Sequence, residues 1–499
     1  MQYGRKQIAR SLLVALALGT VVPAAAVAKP TPSPQPIEAP SPVPIPTTSG
    51  TPIPYPAYGT PQPDVSLRQQ KPGVPVSVSL EQSIDLAVVA SPVFASERAQ
   101  YEAIRAKYYS EQGALYPSVS AIISAVRTFG NERSGQGNFG TPSPIQTTLP
   151  NTGPVTDLTG QVSLTQLIYD GGRVIAGIRT AKEADFAGRD TLLRNLQTLA
   201  FNVATAYYGL LQADATVASD ALLVREFEVN EDNVRAAIRT GAEARSDLAA
   251  AEFQTAQARG NLITAQGQVI AAQATFSTTL GFDADALIQP QSRSGETPGT
   301  RALTYTDSVK QALALRPDFI SAQHTVESSK ENVRFAKLAR FPILNLTANV
   351  GTSDILVISP PTNTHYNTTE GLGATLSYPI YDQGLTNYNV ALAASQLDQA
   401  NAALVQEKLT VQSDVRGALS NLISARAVLI QAASELRSAQ VSLQAIQAQY
   451  KVGASTITAV ITAEANLATA QAFNVSSIYN EYLAEERYQF AVGSIDLNL

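Results

Sequence analysis

The chain is written twice. Leu80-Glu81-Gln82-Ser83-Ile84-Asp85-Leu86-Ala87 is echoed 225 residues later by Tyr305-Thr306-Asp307-Ser308-Val309-Lys310-Gln311-Ala312, and Pro92 and Pro117 recur at that offset as Pro317 and Pro342. Further on the offset is 212. Tyr169-Asp170 matches Tyr381-Asp382, Gly172 matches Gly384, Gly241 matches Gly453, Glu252 matches Glu464 and Gly281 matches Gly493. The 13-residue change falls wholly between Pro117 and Tyr169, so the extra length is expected in a loop tip, where length costs little. Whatever one copy folds into, the other must fold into as well.

Each copy predicts the same series of elements. A helix of about 25 to 30 residues ends at Tyr116-Pro117 or Phe341-Pro342, where proline stops propagation. Alternating sequence follows. In the second copy Leu344, Leu346, Ala348 and Val350 alternate with Asn345, Thr347 and Asn349, and Leu372, Ala374, Leu376, Tyr378 and Ile380 alternate with Gly373, Thr375 and Ser377. A period of two, apolar on one face and small-polar on the other, predicts strands at about 118–129, 158–169, 343–352 and 370–381. Strands of about ten residues with that pattern are the signature of a transmembrane barrel wall. Four strands cannot close a barrel, since about eight are the practical minimum, so the wall must be shared between chains.

Long helices are expected next. Asp170 and Asp382 are read as N-caps, with Gly172 and Gly384 easing the strand-to-helix turn. From Val411 through Val415, Ala418, Leu422, Ala425 and Leu429 to Tyr450, apolar residues recur at alternating spacings of four and three, a heptad seam. The return helix of the first copy does likewise through Leu248, Ala251, Ala258, Leu262, Ala265 and Phe276. Gly172 to Thr240 would run about 100 Å as one helix, and the return to Gly281 about 60 Å. Hairpins are thus expected at about 171–281 and 383–493, reversing at Gly241 and Gly453, where a left-handed residue is needed. The geometry is that of a bridge, mainly α with a small membrane β part.

Composition narrows the function. Residues 1–28 read as a secretory signal: Arg5, Lys6 and Arg10, an apolar stretch from Ser11 to Val22, and Ala26-Val27-Ala28 as a cleavage site. No later run approaches the roughly 18 to 20 apolar residues of a membrane helix. Residues 29–75, rich in Pro, Thr and Ser, are expected to be a disordered leader. The repeats then occupy 76–290 and 303–499, with a linker at 291–302. The net charge of -6 becomes -9 without the signal's three cations, which argues against nucleic acid as a partner. There is no Cys and there are only two His, His324 and His365. No nucleophile elbow, phosphate loop or metal-ligand cluster occurs, and Gly371-Leu372-Gly373 sits inside a strand pattern without the third glycine of a dinucleotide loop. No enzyme, catalytic residue, cofactor or metal is expected.

Over roughly 76–499 the chain resembles the TolC-like outer-membrane efflux protein family. The resemblance rests on L-x-x-S-(I/V)-x-x-A-(x)-P before each first helix, on Tyr-Asp-x-Gly at each strand-to-helix turn, and on the tip segments Arg239-Thr240-Gly241-Ala242-Glu243-Ala244-Arg245-Ser246-Asp247-Leu248 and Tyr450-Lys451-Val452-Gly453. It implies a homotrimer closing a 12-stranded β-barrel in outer-membrane lipid, with a tapered α-helical barrel crossing the periplasm. It also implies docking to a periplasmic adaptor (membrane fusion protein) and an inner-membrane RND, ABC or MFS transporter, in a tripartite efflux or type I secretion system. A passive duct takes its substrate choice from the pump, so the exported substrate is not written in this chain.

In the family the helix tips close the periplasmic entrance. Asp247 and Tyr450 match the partners of a polar link between the repeats, with Glu243, Arg245, Gly241 and Gly453 beside them. Ala459 and Thr462 stand where well-studied members place a ring of aspartates, so that ring does not carry over; Asp247, Glu243 and Glu464 are the candidates to supply charge instead. Exposed ion pairs are worth only about 0 to 1 kcal/mol, and an ordinary solvated helix start explains Glu243, Arg245 and Asp247 equally well. The alternative function is a periplasmic coiled-coil adaptor or structural protein without a pore.

Overall fold

Among the described residues the duplication holds for every helix and wall strand, and only the short strands β1 and β4 belong to the first repeat alone. The computed structural model describes residues 76–128, 155–240, 244–291, 304–357 and 367–495, all within one compact unit, Pro61–Leu499. The first repeat runs β1 (Val76–Val78), α1 (Leu80–Ala90), α2 (Pro92–Gly113), β2 (Ser118–Thr128), β3 (Val155–Tyr169), α3 (Arg173–Arg239), α4 (Arg245–Thr279) and β4 (Ile288–Pro290). The second runs α5 (Tyr305–Leu315), α6 (Pro317–Leu338), β5 (Ile343–Val357), β6 (Asn367–Ser377), α7 (Leu385–Lys451) and α8 (Ile457–Val492). The expected signal, the leader, Gly241, Glu243, His365 and most of the 291–302 linker lie outside the described residues.

Three expectations need correcting. The first helix of each repeat is two helices, because Ser91 and Arg316 each precede a proline and take extended backbone, with ψ of 121° and 119°. A pre-proline residue clashes in the α region, so the chain bends there and restarts with proline in the first turn. The last wall strand ends at Ser377, four residues before Tyr381, since Pro379 has no N–H to give a ladder. Beyond the four wall strands, β1 and β4 form a short parallel pair, Val76 opposite Ile288, at which the Tyr207 hydroxyl donates to the Gln291 carbonyl at 2.6 Å.

The wall strands form one antiparallel sheet in the order β2-β3-β5-β6, so the central β3–β5 pairing joins the two repeats. Register puts mostly apolar residues on one face and mostly small polar ones on the other, with Gln166 and Glu370 on the first and Ile122 and Val126 on the second. Val119, Ala121 and Ile123 of β2 share a face with Leu164 and Val162 of β3, then Ala348 and Val350 of β5, then Leu372 of β6. The opposite face carries Ser120, Ser124, Thr159, Ser163, Asn349 and Thr375, and its hydroxyls bond across strands, Ser120 to Ser163 at 2.8 Å and Ser124 to Thr159 at 2.6 Å. Ile123 is 82% exposed and Leu372 79%, so the apolar face is bare in the single chain. One polar residue near its helix end, Gln166, has its amide consumed by the Leu115 and Leu167 carbonyls.

At 67 residues each, α3 and α7 are about 100 Å long. The 35-residue α4 and 36-residue α8 pack back along them. The expected seam is the packed face: Val411, Val415, Ala418, Leu422, Ala432 and Leu443 are buried on α7, and Ala251, Ala258, Ala265 and Phe276 on α4. Small residues alternating with large ones let the helix axes approach closely. Among the described residues no helix is long and apolar enough to cross a membrane.

Candidate functional site

The functional surfaces are the sheet and the two ends of the hairpins. At the sheet end Asp170 accepts from the Gly172 amide at 2.8 Å and the Val174 amide at 2.5 Å; Asp382 accepts from the Gly384 and Thr386 amides at 3.0 and 2.8 Å. Both carboxylates satisfy orphan helix donors, but neither residue is the N-cap. That position belongs to Gly172 and Gly384, at φ of 87° and 85°, because the tight turn out of the strand needs a left-handed residue there. The Thr386 side chain and amide hold the Asp382 carboxyl below its ordinary range. Pro117 and Pro342 stand directly before β2 and β5, where their missing N–H starts each strand without loss.

At the far end, α7 closes with a Schellman motif: the Ala454 amide donates to the Gln449 carbonyl, the Gly453 amide to the Tyr450 carbonyl, and Gly453 has φ of 74°. Opposite it, Asp247 accepts from the Ala244 amide at 3.2 Å and caps α4, whose first residue Arg245 is exposed. Tyr450 and Leu248 pack on a buried cluster of Val234, Ala251, Leu443, Ile457, Val460 and Leu467, which draws α3, α4, α7 and α8 together. The structure thus brings Asp247 and Tyr450 to the same end of the molecule, on the tips of different repeats. Thr462 is exposed and Ala459 half-buried.

Glu464 departs from expectation. It does not present charge at the surface: it is 4% exposed and accepts from the Asn230 side-chain amide at 3.1 Å. Burial, with the nearby Glu226 charge, pushes its carboxyl up to about 7. The sequence carried a signal for this, since Glu464 falls at the helical spacing of Val460, Ile461 and Leu467, on the packed face.

Sequence reasoning also missed a buried charge cluster midway along the molecule. Arg316, 2% exposed, bonds Asp318 at 2.6 Å, Asp414 at 3.0 Å and the Ala491 carbonyl at 3.4 Å, with Glu407 at 3.8 Å. Arg194 of α3 adds a 3.1 Å contact to Asp318 and lies 3.8 Å from the centre of the Phe490 ring. Burial would raise the Asp318 carboxyl, but the Arg316 bonds and the Arg194 charge hold it below the usual range. The cluster fastens the first repeat's long helix to three helices of the second. His324 sits between Glu183 at 2.9 Å and Asp190 at 3.8 Å; among the described residues no group of three or more such side chains could hold a metal.

An amphipathic sheet carrying two helical hairpins of matching length is the fold seen in solved outer-membrane channels. The family model described as outer membrane efflux protein matches residues 83–282 and 308–494, one match per repeat, and the chain belongs to that family. It is 27% identical over 349 residues to the outer membrane efflux protein BepC of Brucella suis, covering 68% of this chain and 74% of that protein. To the outer membrane protein TolC of Escherichia coli it is 25% identical over 356 residues, covering 67% and 69%. The crystal structure of the Campylobacter jejuni CmeC outer membrane channel superposes with a TM-score of 0.69 at 17% identity, over 84% of this chain and 87% of that one. Membership places the protein in the outer membrane, with its helical part in the periplasm.

Proposed function

We propose that the chain is one protomer of a homotrimeric exit duct, which takes substrates from an inner-membrane pump through a periplasmic adaptor and releases them outside. The observation that carries this reading is the sheet. Its edge strands β2 and β6 are each paired on one side only, and one face is mainly apolar. Backbone groups on an open edge cannot stay unpaired in hydrocarbon, so β2 of one copy pairs with β6 of the next. Three copies give a 12-stranded barrel, above the roughly eight needed for closure and wide enough to leave a lumen lined by the Ser/Thr/Asn face. A periplasmic coiled coil without a pore has no use for that apolar face. At the other end, a polar contact between Asp247 and Tyr450 latches the entrance, and packing at the tips supports it.

The chain has no Cys, so introduced thiols report only on chosen positions. Ser120→Cys on β2 is combined in turn with Gly371→Cys, Gly373→Cys or Thr375→Cys on β6 and oxidised in intact outer membranes. At least one pair is expected to yield a covalent trimer. Products no larger than the single chain from every pair would overturn the shared wall.

A further inference from the structure

We propose that Glu464, buried against Asn230, is a proton-operated lock on the far end of the helical hairpins: protonated it holds α8 to α3, and ionised it loosens that end. The inference rests on the duct reading for its consequence, but the lock itself is a property of the packing. The carboxyl lies among the apolar residues that tie the four helices together, one turn beyond Val460 and one before Leu467. Its bonded partner is a neutral amide from the opposite repeat, and no described ion pair reaches it. A carboxylate held by one neutral hydrogen bond in an apolar setting is strongly disfavoured against its neutral acid.

Of the charged groups nearby, Glu226 reinforces this preference, whereas Arg225 and Lys451 line the same groove and oppose it. Glu464 opens on a groove of about 870 Å³ between α3, α7 and α8. From α3 the groove receives Glu226 and Arg225, and from α7 Lys451 and the Tyr450 phenol. On α4, Glu252 is turned to Arg235. Glu226, the group whose charge bears on Glu464, is itself raised by burial, so the two acids share one preference for the proton. A carboxyl raised by packing favours the packed state most when protonated in both states. That advantage is lost as pH climbs from the ordinary glutamate value of about 4.3 through the folded value of about 7. Alkaline conditions therefore loosen the junction next to the proposed entrance.

Hydrogen exchange on the full-length protein, purified in detergent, tests the lock without relying on transport. After correction for intrinsic rates, protection of amides within 224–238 and 457–471 is expected to fall about tenfold or more between pH 6 and pH 8.5. In Glu464→Gln, which keeps the amide partner and carries no charge, the fall disappears; in Glu226→Gln, which removes a charge that raises the Glu464 carboxyl, it moves to lower pH. Protection that ignores pH in the natural protein, or falls equally in Glu464→Gln, overturns the lock. If protection behaves as expected in a protein that forms no conducting pore, the lock stands and only the duct reading fails.

Discussion

Replacing Arg316 with methionine is expected to destabilise the protein by about 3–5 kcal/mol, the usual penalty for removing one partner of a buried charge cluster. The methionine fills the aliphatic volume, so the loss comes from the carboxylates left behind. Asp318 keeps only Arg194 and the Phe319 amide, and Asp414 loses its 3.0 Å partner. Denaturant unfolding in detergent measures the loss. Arg316→Met with Asp318→Asn should cost less than the sum of the single changes, because the second removes a charge the first had stranded. The pH dependence has a definite sign. A carboxyl held low in the folded protein adds stability above its unfolded value of about 3.9, and that stability is lost as pH falls through the lowered value. Acid should therefore weaken the natural protein more than Arg316→Met. Equal stability of Arg316→Met and the natural protein at neutral pH would mean that the cluster fastens nothing.

Gly281→Ala is expected to cost about 2–5 kcal/mol, from two separate causes. Gly281 has φ of 90°, where any side chain is strained by about 1–2 kcal/mol. A Cβ there would also lie 2.5 Å from the Ala90 carbonyl oxygen and 2.8 Å from the Ser91 Cα, both backbone atoms that cannot swing aside. Overpacking of that kind adds about 1–3 kcal/mol. Gly172 separates the causes, since at φ of 87° a Cβ meets nothing within 4 Å. Gly172→Ala should show the conformational cost alone. Gly493 falls between, with Arg316 backbone atoms at 3.1 Å. Thermal melts of the three variants should rank in that order; equal losses would remove the steric account. In both repeats the glycine ending the return helix seats on the residue before the proline kink, Ser91 or Arg316.

The legible parts of the fold were those that depend on periodicity. The offset of 212 placed Gly453 and Gly493 at helix ends, and both are left-handed there. The four-three spacing from Val411 to Tyr450 named the packed face of α7, because helical periodicity survives any tertiary setting. Three-residue pairing such as β1 with β4 has no period to detect, and a proline reads equally as a kink or an end until its neighbours are known. The N-cap of α3 was misplaced by two residues because a capping carboxylate reaches its amides from a turn as well as from the cap itself. Asp247 and Tyr450 were found through the resemblance. Glu464 was expected to supply surface charge, and Arg316 was overlooked, because charge in sequence suggests solvent and burial depends on which helix faces which.

A pore of this kind is read by its conductance. Detergent-purified oligomer added to a planar bilayer should give discrete, stable current steps, and Asp247→Ala with Tyr450→Phe should give larger ones as the proposed latch releases. A bilayer that stays insulating, although cross-linked oligomer can be recovered from it, would contradict the account.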